Sequence, residues 1–178
     1  MIETERLILR PPTDADRDAL FALNADPRVG EWLGGPMTRE QADALVDRVL
    51  ASIAEHGFSL WTVERKADGA VIGMAGLLAM GAELPPGPAL EVGWRLAPDA
   101  WGQGYATEAA RAAIDWGFAN RPEAPEIVAI TARTNLASQA VMKRLGMVPE
   151  PWRDFDHPKV ADGNPLKAHV TWSLKRPR

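Results

Sequence analysis

Two spacings of apolar residues divide the chain into helices and strands. Between positions 38 and 57, Ala42, Leu45, Val46, Val49, Leu50 and Ile53 recur at the 3.6-residue interval that lines one helix face. Thr38 with Gln41 forms a capping box ahead of that stripe, and Gly57 closes it. A second stripe is Ala106, Ala109, Ala110, Ala113, Ile114, Gly117 and Phe118, small residues that permit close packing on a sheet; it ends before Pro122. Shorter helices are predicted from a Thr13 cap through Ala15, Ala19, Leu20 and Leu23 to about Asn24, and from Asn135 through Ser138, Val141, Met142 and Leu145 to Gly146.

Alternating or continuous apolar runs predict strands at residues 6–10, 58–64, 71–78, 90–96, 126–132, 147–155 and 168–174. Residues 67–70 read as a hairpin turn. Pro11-Pro12 ends the first strand and Asp26-Pro27 breaks the first helix. Residues 29–36, with Trp32 and the Gly34-Gly35 pair, are turn-rich, and the proline-rich stretch 83–88 is a loop. The order β-α-α-β-β-β-α-β-α-β-β contains no repeat and no interior linker, so it predicts one α+β domain over residues 1–178.

Composition narrows the function classes. A net charge of −4 argues against a nucleic-acid binder that works through a basic surface. The absence of cysteine excludes a disulfide, a thiolate metal site and a cysteine nucleophile, and no metal ligand set is evident. No apolar run approaches the ~20 residues of a membrane span and no basic-then-apolar leader opens the chain, so a cytoplasmic protein is expected. For assembly, the expectation entertained is a homodimer.

The chemistry is concentrated where the strand 90–96 meets the second apolar helix. Pro98 stops strand pairing there, and Gly102 and Gly104 leave room for a phosphate to approach the backbone, since neither has a Cβ. The first amides of the helix that follows lack intrahelical partners, which makes an anion site. Asn135 opens another helix one strand later, where its amide is able to hold a ligand lying between the two strands. A P-loop is excluded because no Gly-Lys-Ser/Thr follows, and the spacing lacks the third glycine of a dinucleotide fingerprint.

These motifs resemble a known family. Trp101-Gly102-Gln103-Gly104-Tyr105-Ala106-Thr107-Glu108-Ala109, preceded by Glu91-Val92-Gly93-Trp94, is similar to the acetyl-CoA signature of the GNAT acetyltransferase superfamily. Within it, the resemblance is to the branch of ribosomal-protein N-terminal alanine and serine acetyltransferases. Asn135-Leu136-Ala137-Ser138 with Lys143-Arg144-Leu145-Gly146-Met147 resembles the second motif of that branch. Glu5-Arg6-Leu7-Ile8-Leu9-Arg10, Asp26-Pro27 and Phe155-Asp156-His157-Pro158 fit it too. The resemblance implies an α+β fold with a mixed, mostly antiparallel sheet of about seven strands, splayed at its centre and flanked by about four helices. It implies acetyl-CoA as the cofactor, with CoA as product. It also implies an amine acceptor, either a peptide N-terminus or a small molecule, attacked directly without an acyl-enzyme.

By that resemblance the amides of Gly102, Gln103, Gly104, Tyr105, Ala106 and Thr107 hold the pyrophosphate, and the Leu96 backbone pairs with the pantetheine arm. Asn135 hydrogen-bonds the pantetheine and Ser138 lies near the sulfur. The family often carries Gln or Arg at the place of Trp101. Several members have a tyrosine acid where Met142 stands and a glutamate where Ile130 stands, so the catalytic candidates here are Ser138 and Glu91. Ser138 reads either as the thiol acid or as a helix cap. By strand alternation Glu91, Gly93 and Arg95 face away from Leu90, Val92, Trp94 and Leu96, so Glu91 is either a base acting through water or an ordinary strand charge. His157 reads as a neutral-pH titrating group or a structural one. Trp32, Trp61 and Trp152 are candidates for the acceptor cleft wall. The alternatives to an N-acetyltransferase are a non-catalytic acyl-CoA-binding or sensor module, and a turn that binds no phosphate.

Overall fold

The chain's local signals start most of its elements. The Gln41 amide donates to Thr38 Oγ1 at 3.3 Å, while the Thr38 amide donates to Gln41 Oε1 at 2.9 Å. This reciprocal cap starts a helix over Arg39–His56, and Gly57 ends it in the left-handed region, at φ 81°. The computed structural model describes residues 1–177.

Nine strands form one sheet: β1 (Ile2–Glu3), β2 (Leu7–Arg10), β3 (Leu60–Arg65), β4 (Ala70–Met80), β5 (Ala89–Leu96), β6 (Glu126–Ala132), β7 (Val148–Pro149), β8 (Phe155–Asp156) and β9 (Ala168–Lys175). Their order is β1-β2-β3-β4-β5-β6-β9-β7, with β8 also on β9. All pairings are antiparallel except β5–β6, which is parallel. The helices are α1 (Arg17–Ala25), α2 (Pro27–Gly30), α3 (Arg39–His56), α4 (Tyr105–Asn120) and α5 (Leu136–Arg144).

The sheet separates two apolar layers. Leu7, Leu9, Val63, Leu77, Val92 and Ile127 meet Ala109, Ala113 and Ile114 of α4 on one face, with Met142 and Leu145 of the α5 segment. Leu20, Leu23, Val46 and Val49 from α1 and α3 meet Leu60 and Met74 on the other. Each large side chain of this kind contributes about 1.5–3 kcal/mol when fully buried. Arg10 ties the strand and helix layers together. It bonds both carboxylate oxygens of Asp16, at 2.7 and 2.9 Å, and reaches Glu64 at 2.9 Å. Burial works against ionisation of Asp16, but the Arg10 bonds and those from the Thr13 amide and hydroxyl together outweigh it and hold the carboxyl below its usual range.

The structure departs from the sequence expectation in three places. Residues 147–155 are not one strand. Pro149 and Pro151 cannot donate to a ladder, so β7 and β8 are two-residue strands separated by a 3-10 turn at Pro151–Arg153. Thr13 caps a 3-10 turn over Asp14–Asp16 before α1 begins. Asp26-Pro27 does more than break α1: Asp26 Oδ1 accepts the Arg28 amide at 2.9 Å and Pro27 opens α2. The strands and helix beyond the expected number are these short pieces and β1.

Close packing of α4 on the sheet rests on Gly117, where a Cβ would stand 2.7 Å from Leu77 Cδ1 and 3.0 Å from Ile127 Cδ1. Replacing Gly117 with valine is expected to destabilise the fold by about 1–3 kcal/mol through overpacking. Urea unfolding reads this as a lower midpoint at constant slope. An unchanged midpoint would show that α4 has room to move.

Candidate active site

β5 and β6 pair only at Leu90–Ile127 and Glu91–Val128. Beyond those pairs β5 continues to Leu96 beside β4, and β6 continues to Ala132 beside β9, so a wedge opens between them. The Ala97 amide donates to the Ile72 carbonyl at 2.9 Å, so by alternation the amide and carbonyl of Leu96 face the wedge. Trp101 Nε1 donates to that carbonyl at 2.8 Å. The Leu96 amide is left as a donor on this edge, and the Trp101 indole is committed to the protein's own backbone.

A 3-10 turn over Pro98–Ala100 leads from β5 into the glycine turn. Gly102 and Gly104 have φ of 74° and 83°, the left-handed region where an L side chain is strained. Gly104 is the N-cap of α4 and supplies no side-chain cap. Among the described residues, the amides of Gly102, Gln103, Gly104, Tyr105, Ala106 and Thr107 make no hydrogen bond; the first that does is Glu108, to the Gly104 carbonyl at 3.0 Å. Six consecutive unpartnered donors therefore lie at the positive end of a 16-residue helix. The Gln103 side chain closes the turn instead of lining it, donating to the Asp99 carbonyl at 2.7 Å. An exposed turn of free amides, reached along an unpaired strand edge, fits a long phosphate-bearing ligand with an amide-rich arm.

On the opposite side of the wedge, Asn135 is buried and its Oδ1 accepts the Ser138 amide at 3.1 Å. The helix cap is thus made by Asn135 with the Ser138 amide. The Ser138 hydroxyl has no partner among the described residues, and Asn135 Nδ2 remains a donor.

Leu90, Val92 and Leu96 sit in the core beneath α4, so Glu91, Gly93 and Arg95 face the α1 and α3 side. Arg95 donates to Asn24 Oδ1 of α1. Glu91 keeps some solvent access, and among the described residues no hydrogen bond or ion pair engages its carboxylate. Burial pushes its pKa up to about 7. Burial likewise lowers the Arg95 guanidinium to about 10.

The remaining sequence candidates lie elsewhere. Trp61 belongs to the α4-side core, edge-on to Trp116 with centroids 5.2 Å apart, so it lines no acceptor cleft. Trp152 stands exposed on the Pro151–Arg153 turn, which Arg153 anchors through Glu126, Glu150 and the Pro86 carbonyl. His157 packs at a tilt against His169, with centroids 4.8 Å apart, at the β8–β9 edge, one strand away from the wedge. Burial first, and then His169, lower its pKa. Met142 and Ile130 bring no titratable group to the site, Met142 being core. Arg6 and Glu108, which the sequence motifs contain without indicating a role, meet beside the glycine turn. No local pattern marks a pair separated by 102 positions.

The raised pKa of Glu91 carries a stability consequence. Between its ordinary value near 4.5 and about 7, the native state holds a proton that the unfolded chain releases, so stability falls as pH rises through that window and levels off above it. Relative to a Glu91→Gln variant, the wild-type unfolding free energy is expected to drop by up to about 3 kcal/mol across this window. Urea titrations at a series of pH values measure it, and parallel pH profiles for the two proteins would refute a desolvated Glu91.

Comparison with known proteins gives a consistent result. Residues 6–148 match the family described as acetyltransferase (GNAT) domain. The chain is 33% identical to the uncharacterized protein YkkB of Bacillus subtilis, over 81% of this chain and 83% of that protein. It is 28% identical to the uncharacterized N-acetyltransferase YoaA of the same organism, over 100% and 98% of the two. Among solved structures, the GNAT-family acetyltransferase from Bacillus anthracis superposes with a TM-score of 0.80 at 23% identity, covering 98% of each chain. The spermidine N-acetyltransferase from Vibrio cholerae, in complex with CoA and spermine, superposes with a TM-score of 0.74 at 18% identity, over 97% of each chain. The RimL ribosomal alpha-N-protein acetyltransferase, in complex with coenzyme A, does so with a TM-score of 0.74 at 17% identity, over 97% of this chain and 95% of that one.

Proposed function

The chain belongs to the GNAT acetyltransferase family, and from that premise we propose that it transfers the acetyl group of acetyl-CoA to a primary amine by direct attack in a ternary complex. Family membership makes it an acyltransferase and supports acetyl transfer to amines in general. The observation that carries the finer reading is the wedge between β5 and β6 ending at six free amides. Acetyl-CoA, when bound, supplies a thioester carbonyl for the amine to attack and a thiolate to depart.

The protein's own groups divide that work. The amides from Gly102 to Thr107 hold the pyrophosphate, helped by the α4 dipole. The Leu96 amide and Asn135 Nδ2 hold the pantetheine arm from the two sides of the wedge. Glu91, with a pKa near 7, takes the proton of the acceptor ammonium through water, since a base tuned near the working pH is the effective one. The Ser138 hydroxyl, which is not spent on capping, donates a hydrogen bond toward the departing sulfur. The acceptor is a protein N-terminal α-amine or a small-molecule amine. The fold neighbours named above include one protein of each kind, and one fold hosts both acceptor classes.

Incubating the protein with acetyl-CoA and a panel of amines and N-terminal peptides, followed by mass spectrometry, is expected to reveal acetylated acceptors. CoA binding with no acetyl transfer to any acceptor would sink the proposal. With the best acceptor, kcat/KM should rise with pH through about 7. Glu91→Gln should lose that limb and about 10²-fold or more in kcat. A limb that survives in the variant assigns the base elsewhere.

A further inference from the structure

Arg6 stands in the short connection between β1 and β2, far in sequence from the glycine turn, yet its bonds converge on it. Arg6 Nη1 donates to the Gln103 carbonyl at 2.9 Å. Its Nε and Nη2 both lie 2.6 Å from Glu108 Oε2. The guanidinium covers the Tyr105 ring at 4.5 Å. Glu108 is held further by the Arg6 amide at 2.9 Å and by Thr4 Oγ1 at 2.6 Å. Burial opposes ionisation of Glu108, but these donors outweigh it and keep the carboxyl below its usual range. The Arg6 carbonyl is itself fixed, accepting the Lys66 amide at 2.9 Å.

We propose that Arg6 is a positioning residue for the cofactor turn: bridging the Glu108 carboxylate and the Gln103 carbonyl, it aims the Gly104 amide into the anion site. In a trans peptide the C=O and N–H point in opposite directions. A guanidinium that holds the Gln103 oxygen therefore turns the Gly104 hydrogen to the other side, away from Arg6. Two glycines in the left-handed region give the turn little conformational preference of its own, so the Gln103 side-chain bond to Asp99 and the Arg6 bridge together set its orientation. Arg6 also neutralises Glu108, whose charge in the first turn of α4 would otherwise oppose an anion at the same helix end. The planar fork is needed because one group must reach two acceptors at fixed angles, which a lysine ammonium does not do.

The inference rests on the proposed acetyl-CoA site, and the test separates the two. Calorimetric titration with CoA on the wild type decides the site itself: no binding there overturns the cofactor reading, and with it any role for Arg6 in affinity. If the wild type binds, Arg6→Gln is expected to raise the CoA Kd about ten-fold, the equivalent of one charge-assisted hydrogen bond. KM for acetyl-CoA should rise to match while kcat changes little. Arg6→Lys should resemble Arg6→Gln, and Glu108→Gln, which releases the guanidinium, should also weaken CoA. A role through charge alone gives the opposite pattern, with Arg6→Lys restoring wild-type affinity and Glu108→Gln binding tighter. Backbone amide order parameters at Gly102–Tyr105 provide a ligand-free readout, expected to fall in Arg6→Gln and in Glu108→Gln. Unchanged order parameters, or an unchanged Kd in both variants, would overturn the proposal.

Discussion

Where β5 and β6 stop pairing, the main-chain groups on both strand edges lose their ladder partners. Buried backbone donors and acceptors that find no other partner are costly. The chain resolves this constraint in part. Trp101 covers the Leu96 carbonyl, and Pro98 carries no donor at all. Of the six amides beyond it, three lie on the exposed Gly102–Gly104 turn and three in the first turn of α4. On the β6 side, Asn135 uses its side chain to satisfy the first turn of α5. What remains unpaired is a set of donors that runs from β5 into the glycine turn and the start of α4, with Asn135 Nδ2 across the gap.

The two faces of the sheet then take different roles. The α4 face is almost wholly apolar, and its alanines and Gly117 let the helix approach closely enough to set its N-terminus at the mouth of the wedge. The α1 and α3 face carries Glu91 and Arg95 on the same strand that supplies the wedge. Neither is neutralised by an opposite charge, so burial shifts both toward their neutral forms. An acid with a pKa near neutrality, placed at the last residue of β5 that pairs with β6, is chemically poised in a way that the ion-paired carboxylates of this protein are not. Asp16, Glu108 and Glu126 each meet an arginine and stay ionised.

Local sequence revealed the elements whose ends are decided by neighbouring residues. The Thr38 capping box, the helical stripe behind it, the glycine turn and the Asn135 cap are interactions over three or four positions, and each is present as read. The strand expected over residues 147–155 failed for a local reason as well, because Pro149 and Pro151 deny it a continuous ladder. Trp61 shows the other kind of failure. Its residue type suits a binding cleft or a core equally, and only the arrangement of α4 over β3 decides for the core.

The sequence by itself determined the alternation of strands and helices, the glycine turn before an alanine-rich helix, and the opposition of Glu91 to Leu90 and Val92. All of these follow from periodicities of a few residues and from the conformations open to glycine and proline. Only the tertiary structure decided where β5 and β6 part, how dry Glu91 becomes, that Trp101 serves a backbone carbonyl, and that Arg6 meets Glu108 and Gln103. These depend on strand register and on contacts across about a hundred positions, where the chain's path, not its local composition, sets which groups meet.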